Sequence, residues 1–472
     1  MTAGRIISFL VISALFIGLF SGSGCANIVP PGGGPRDSFP PVLVSATPKD
    51  SATFVKNQKI TIIFDEFIEL KNASEKLLIS PFPDKQPQIE HKLKTITIRL
   101  KDSLLPNTTY TIDFGDAVID LNEGNILKNF QYAFSTGASI DSNELTGRII
   151  LAETGKTDST LFAVLYNKQE DSTVAKQKPM YVARVDGQGN FRFTNLPSGA
   201  FYVYGLGDVD GNKQYNQPIE QFAFLDSPIV VSTTTPSVQL YAYAAEKEKP
   251  RASTSQAAAD KPRGLIVTPN LEAGALDLLD SFRLRYTKPI RKFDPSKARL
   301  VIDSAQTVSD VTFLNDSIRK QIIVIAPWKA GSKYKLFLDK EYASDSSGLT
   351  AIKNDTISFR VKSEKEYGTV RVRFSALDTA AHPVLIVYAG SDEIVGRYPL
   401  TGKEFYRSMF KPGNYKLALL YDTNQNGIWD PGDYFSKPKR QPELVQPLND
   451  PITIKENWDN EKTYSIKEIG NK

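Results

Sequence analysis

The sequence predicts an all-β chain built of tandem β-sandwiches, and three observations carry that expectation. Short alternating runs rich in β-branched and aromatic residues recur along its 472 residues, among them "KITIIF" at Lys59, "TITIRL" at Thr95, "FYVYGL" at Phe201, "QIIVIA" at Gln321, "TVRVRF" at Thr369 and "YKLALLY" at Tyr415. Clusters of Asn, Asp, Gly and Pro separate these runs, as turns between strands require. Beyond the N-terminal segment no long stretch carries the 3.6-residue period of an amphipathic helix.

The segments follow in order. Arg5, an apolar run over residues 6–20 and the small residues 21–24 have the three regions of a secretory signal, predicted over residues 1–24. The apolar run is too short for an ordinary membrane-spanning helix. Residues 25–38, with "PPGGGPRDSFPP", combine stiff prolines and loose glycines with little to bury, and are expected to form a tether. A second composition break, "AAEKEKPRASTSQAAADKPR" over residues 244–263, is polar and free of aromatics, and is expected to be a linker.

On either side of that linker the chain repeats itself. "LPNTTYTI" places Tyr110 fourteen residues before Gly124 of "DLNEGN", and "KAGSKYKL" places Tyr334 fourteen before Gly348 of "DSSG". Thr47-Pro48 and Thr268-Pro269 stand near the start of each unit. Further on, "LPSGAFYVYGLGD" aligns with "FKPGNYKLALLYD", so that Gly199 matches Gly413, Phe201 matches Tyr415 and Asp208 matches Asp422. The expected order is A-B-A′-B′, over residues 39–137, 144–243, 264–362 and 366–472, with roughly 100 residues in each sandwich.

These stretches carry resemblances. The only cysteine, Cys25, directly follows the small residues of the signal, which resembles the lipobox of bacterial lipoproteins, with Gly22 where that pattern usually has an aliphatic residue. The resemblance implies that the Cys25 thiol receives a diacylglycerol and becomes the first mature residue. "CANIVPP" carries no acidic residue close after the cysteine, so outer-membrane attachment is expected, facing either the periplasm or the cell surface. Residues 39–136, with "FDE", "LPNTTY", "DLNEGN" and "FST", resemble the bacterial Ig-like domain first named from the surface-layer protein SbsA, as found in lipoproteins of Bacteroidota; residues 264–362 resemble it less closely. The B segments look like the prealbumin-like sandwiches of bacterial surface proteins. What the resemblances imply is extracytoplasmic structural or binding modules without a shared active site.

Charge excludes one class of partner. The 57 basic and 53 acidic residues are mixed, for a net charge of +4, and no basic stripe interleaved with aromatics is present, so nucleic acid is not an expected partner.

Candidate chemistry is sparse. Asp65, Glu66 and Glu69 of "FDEFIEL" could pair as acid and base, but the repeat has Thr287 and Lys288 in place of the first two, and a strand-end turn needs no carboxylates. "ETGKTDST" around Lys156 ends like a phosphate loop, yet Ile150 occupies the place of the leading glycine and a strand follows instead of a helix. His91 and His382, the only histidines, fall in different modules, which rules out a His-based triad or a multi-His zinc site within either. Asp-Ser or Asp-Thr before a small or aliphatic residue recurs at Asp50, Asp102, Asp303, Asp316, Asp355 and Asp378. It resembles an O-glycosylation motif of Bacteroidota and is equally ordinary turn chemistry.

The strongest chemical signal is "YDTNQNGIWDPGDY". With Asp422 as position one of a calcium loop, Asn424, Asn426, Asp430 and Asp433 fall on three, five, nine and twelve, Ile428 offers its carbonyl at seven, and Gly427 takes the sharp turn at six. Oxygen-only donors suit a hard cation such as Ca²⁺. The competing reading is a tight loop held by side-chain-to-backbone hydrogen bonds. "DVDGNKQYNQPIE" keeps Asp208, Asp210 and Asn212 but has Lys213 in the place of Gly427, so it is expected to be the weaker site. The flanks are β, which makes any ion structural and no switch.

The sequence therefore predicts a non-catalytic, lipid-anchored envelope protein, a structural or binding scaffold whose partner is a glycan or an envelope protein. The alternative is an enzyme or accessory subunit of an envelope polysaccharide-processing system.

Overall fold

The computed structural model describes residues 36–168, 170–246, 264–303 and 306–466. Cys25 and the signal segment lie outside the described residues, as do residues 25–35 of the tether and 247–263 of the linker. Among the described residues no helix is long and apolar enough to cross a membrane. The fold is nearly all β, and the chain forms two compact units, Met1–Asp141 and Ser142–Lys472.

The first unit follows from strict alternation. In Lys59–Phe64 the side chains of Ile60, Ile62 and Phe64 are buried, and in Thr95–Arg99 those of Ile96 and Ile98. Period two sends these apolar residues to one face. The strands Leu43–Thr47, Lys59–Phe64, Thr95–Arg99 and Gln88–Lys92 form one antiparallel sheet in that order. Leu78–Ser80, Thr109–Asp113 and Gln131–Ser135 form a second, and both contribute to one core with Tyr110, Tyr132 and Phe134. The N–H of Leu105 donates to the Tyr110 hydroxyl at 2.7 Å, which ties the strand to the turn five residues before it.

Within the second unit the same strand order recurs in Val267–Pro269, Phe282–Tyr286, Gln321–Ile325 and Thr312–Asp316. The opposing sheet contains Ala298–Ile302, Lys333–Leu338 and Asp355–Val361. Lys329 N–H donates to the Tyr334 hydroxyl at 2.9 Å, the counterpart of the Tyr110 bond. Gly124 and Gly348, in the matching acidic loops, both have positive φ, +78° and +81°, a conformation that favours glycine.

Two further sandwiches of the second unit share another topology. In one, Asn143–Leu151 lies between antiparallel Asn190–Leu196 and parallel Val238–Ala242, while Phe162–Tyr166 lies between Tyr181–Arg184 and Gly199–Leu206. In the other, Gly368–Ser375 lies between Glu404–Phe410 and parallel Asp459–Ser465, while Pro383–Ala389 lies between Glu393–Pro399 and Gly413–Tyr421. Gly199–Leu206 is extended at its free edge by the short strands Phe222–Phe224 and Ile229–Val231, and Gly413–Tyr421 by the single long strand Leu444–Ile454. The chain between these edge partners forms the two loops rich in Asp and Asn.

Candidate functional site

Each loop leaves the end of a central strand, at Leu206 or Tyr421, and an aspartate follows within two residues, Asp208 after Gly207 and Asp422 directly. In both, that aspartate gathers the loop. Lys213 N–H donates to Asp208 Oδ1 at 2.9 Å, and Gly427 N–H donates to Asp422 Oδ2 at 2.7 Å. Both donors have left-handed backbone, φ +62° for Lys213 and +78° for Gly427. This is the sharp turn expected at position six.

The second loop is closed upon itself. Asn426 N–H donates to Asp422 Oδ1 at 3.2 Å and to Asn424 Oδ1 at 3.1 Å, and Ile428 N–H donates to Asn426 Oδ1 at 2.8 Å. The amide nitrogens of Asn424 and Asn426 both donate to Asp430 Oδ2, at 2.7 and 2.6 Å. Asp433 does not join them: its carboxylate accepts the N–H groups of Phe435 and Ser436, and its backbone pairs with Arg440. The loop is braced from farther along the chain by Glu443, which is 5% exposed. Glu443 Oε1 accepts from the N–H and hydroxyl of Thr423 at 2.7 and 2.8 Å, and Oε2 from Asp430 N–H at 3.1 Å. Both oxygens of this buried carboxylate are thus met by donors of the chain itself.

The first loop is arranged differently. Carboxylate oxygens of Asp208, Asp210 and Glu220 lie within 4.8 Å of one another. Lys213 Nζ contacts Asp208 Oδ2 and also sits 4.2 Å from the centroid of the Phe162 ring. Asn212, expected as the third ligand, turns its amide nitrogen toward Asp210 at 2.7 Å, while its oxygen accepts Gln214 N–H. Glu220, which sequence reasoning missed, takes its place. Glu220 and Glu443 both lie beyond the twelve-residue frame and were signalled by a shared Gln-Pro just upstream, Gln217-Pro218 and Gln441-Pro442.

The loops meet at an aromatic seam between the two sandwiches. The hydroxyls of Tyr204 and Tyr434 are 3.0 Å apart and buried. Tyr215 of the first loop stacks on Phe222, with centroids 4.1 Å apart, and on Phe435 at the end of the second loop, 5.9 Å apart and only 3° from parallel. Burial pushes the Tyr434 hydroxyl well above the ordinary tyrosine range, so the pair stays neutral. Val445 N–H donates to Ala152 O at 2.8 Å, and Gln441 Nε2 donates to Phe224 O at 3.2 Å and to Asp226 Oδ1 at 2.9 Å. A cleft of about 480 Å³ opens on this seam, lined by Tyr215, Asn216, Gln217, Tyr434, Phe435 and Arg440. Half-exposed Phe435 offers an apolar face there, beside amide and guanidinium groups able to hydrogen-bond a ligand.

A second lock lies elsewhere in the same unit. Tyr367 donates to Asp277 Oδ1 at 2.7 Å and accepts Leu278 N–H at 2.7 Å, and Lys411 Nζ reaches Asp277 Oδ2 at 2.5 Å. Burial alone would raise the pKa of Asp277, but its bonds to Lys411 and Tyr367 hold it below the usual carboxylate range.

The remaining sequence candidates take structural positions. Asp65 Oδ1 accepts Val42 N–H at 2.8 Å, and burial, then neighbouring carboxylates, raise the pKa of Glu66. Lys156 pairs with Asp392 at 3.0 Å. His91 is in the first unit, on Gln88–Lys92, and His382 in the second, where its Nε2 lies 3.3 Å from Gln425 Nε2. Of the Asp-Ser and Asp-Thr motifs, Asp50, Asp102, Asp316, Asp355 and Asp378 accept backbone N–H groups; residues 304–305 of the sixth lie outside the described residues.

Residues 37–136 match the bacterial Ig-like domain, the stretch whose motifs carried that resemblance. No curated protein matches the chain. Among solved structures it is similar to the Bacillus anthracis TIE protein, at 13% identity over 92% of this chain and 75% of that one, with a TM-score of 0.16. It is also similar to BcpA, the major pilin subunit of Bacillus cereus, at 13% identity over 68% of this chain and 98% of that one, TM-score 0.16. The N-terminal part of the bacterial S-layer protein SbsC is similar at 15% identity over 44% of this chain and 45% of that one, TM-score 0.16. Likeness at this level carries no argument about what the chain binds or builds.

Proposed function

We propose that the protein is a non-catalytic scaffold of the bacterial envelope, anchored to the outer membrane through a lipid on Cys25, that presents the seam cleft to a glycan. The observation that carries this reading is the cleft itself. Phe435 provides a flat apolar face of the kind that packs on the CH face of a sugar ring, and Asn216, Gln217 and Arg440 surround it with hydrogen-bonding groups for hydroxyls. The buried tyrosine pair beneath it and the Asp277 lock hold neighbouring sandwiches together, as a presenting surface requires. One lipid chain gives only marginal anchoring and a diacylglycerol adds a second, so Cys25 would suffice as the attachment point.

Titration of the purified protein with cell-wall and capsular glycan fragments tests the reading. Saturable binding that falls at least tenfold in Phe435→Ala and Arg440→Ala supports it, and binding indifferent to both substitutions overturns it. Turnover of any fragment that disappears when Asp65 or Glu66 is removed would replace the scaffold with an enzyme. Anchoring has its own measurement: Cys25→Ala should abolish acyl labelling and release the protein from the membrane fraction.

A further inference from the structure

We propose that the first loop, residues 208–220, is a divalent cation site for Ca²⁺, with buried Glu220 as its central ligand, and that Lys213 is a built-in competitor for the same charges. The inference does not depend on what occupies the seam cleft.

Two independent observations lead to it. The first is convergence: oxygens of Asp208, Asp210 and Glu220 lie within 4.8 Å of one another, the only such grouping of potential ligands among the described residues. The second is an orphaned atom. Glu220 is 0% exposed, and while its Oε2 accepts the N–H groups of Asn216 and Gln217, both at 3.1 Å, its Oε1 is buried without a hydrogen-bond partner. Leaving a buried carboxylate oxygen without a donor costs several kcal/mol unless a charge meets it.

Charge balance names the ligand. Asp208, Asp210 and Glu220 carry three negative charges and Lys213 returns one, contacting Asp208. A divalent ion brings the site to neutrality. Three carboxylates on an Asn- and Gly-containing loop give an all-oxygen, irregular shell, which suits Ca²⁺ better than the rigid octahedron Mg²⁺ demands. Lys213 Nζ rests on Asp208 Oδ2, one of the three carboxylates, so binding must work against its charge, and affinity falls in the weak extracellular range of about 10⁻⁴ to 10⁻³ M.

The position of the loop gives the ion a consequence. Tyr215, between Asp208 and Glu220 in the chain, stacks against Phe435 across the seam. An ion that fixes residues 208–220 therefore also fixes one face of the joint between the two sandwiches.

The test uses the full chain after chelator treatment, titrated with Ca²⁺ to about 10 mM by calorimetry, with Tb³⁺ luminescence as a second readout. Tyr215 lies in the first loop, whereas Trp429 donates its ring N–H to Glu443 O at the second. Excitation of tyrosine should therefore sensitise Tb³⁺ and selective excitation of tryptophan should not. Glu220→Gln should weaken Ca²⁺ binding at least tenfold, Lys213→Met should strengthen it about tenfold by removing the competing charge, and Asp422→Ala should leave it unchanged. Absence of binding to the wild-type chain overturns the proposal. So does binding lost in Asp422→Ala but kept in Glu220→Gln, which would move the ion to the second loop. If Glu220→Gln fails to fold, Lys213→Met decides: binding no tighter than wild type shows that the ion does not share the site with Lys213.

Discussion

In the loop of residues 208–220 an ammonium group rests on the first aspartate, and a buried glutamate keeps one oxygen without a partner. In residues 422–443 the ammonium is replaced by Gly427, and every carboxylate described there is met by backbone N–H or amide groups; among the described residues no ion pair reaches Asp422, Asp430 or Glu443. Both loops leave the equivalent strand of two sandwiches of like topology, Gly199–Leu206 in one and Gly413–Tyr421 in the other. The sequence closer to a calcium-loop pattern forms the more self-sufficient turn, and the sequence farther from it collects its carboxylates. Side-chain identity at the ligand positions is thus insufficient to rank such loops. What decides is whether the oxygens are already occupied by donors.

The comparison can be broken at the joint that both loops support. Tyr434→Ala removes a fully buried ring that packs against Tyr204, Phe222 and Phe224, and should cost the second unit about 3–5 kcal/mol, measured by urea unfolding. A smaller loss would show that the two sandwiches are not energetically coupled there. Next in size is a contrast between the two glutamates in calcium-free buffer. Glu443→Ala strands the donors of Thr423 and Asp430 and should cost roughly 1–3 kcal/mol, whereas Glu220→Ala strands the N–H groups of Asn216 and Gln217 but also removes an unpaired buried oxygen, and should cost less. Equal losses would erase the difference drawn between the loops.

Gly427→Ala places a Cβ on a residue at φ +78°, with open space around it, so only backbone strain opposes the change. A loss of about 1–2 kcal/mol is expected in thermal unfolding. The smallest effect should come from Tyr204→Phe, which deletes one side of the buried hydroxyl pair, at about 1 kcal/mol.

Much of the fold was legible because alternation is local. Ile60, Ile62 and Phe64 show their inward face in six residues, and the repeat placed Tyr110 and Tyr334 at equivalent positions, where each hydroxyl accepts an N–H from five residues upstream. The loop chemistry was legible in kind but not in detail. A twelve-residue frame belongs to a loop between helices; between strands the chain turns earlier, which sends Asp433 to its own turn with Arg440 and leaves the anchoring role to a glutamate at the edge of the next strand. The Tyr204–Tyr434 pair spans 230 positions in the chain, and no periodicity connects residues that far apart.

One feature of the sandwiches that carry the loops reaches beyond chemistry. In each, the first and last strands are parallel neighbours, over five registered pairs from Gly147 with Val238 to Leu151 with Ala242, and over seven from Thr369 with Asp459 to Ser375 with Ser465. A pull on the two ends of such a module slides these strands lengthwise, so all the hydrogen bonds between them are strained at once instead of opening one by one. Stretched from its termini, each of these modules should resist in shear, and the seven-pair module should yield at the higher force in single-molecule pulling.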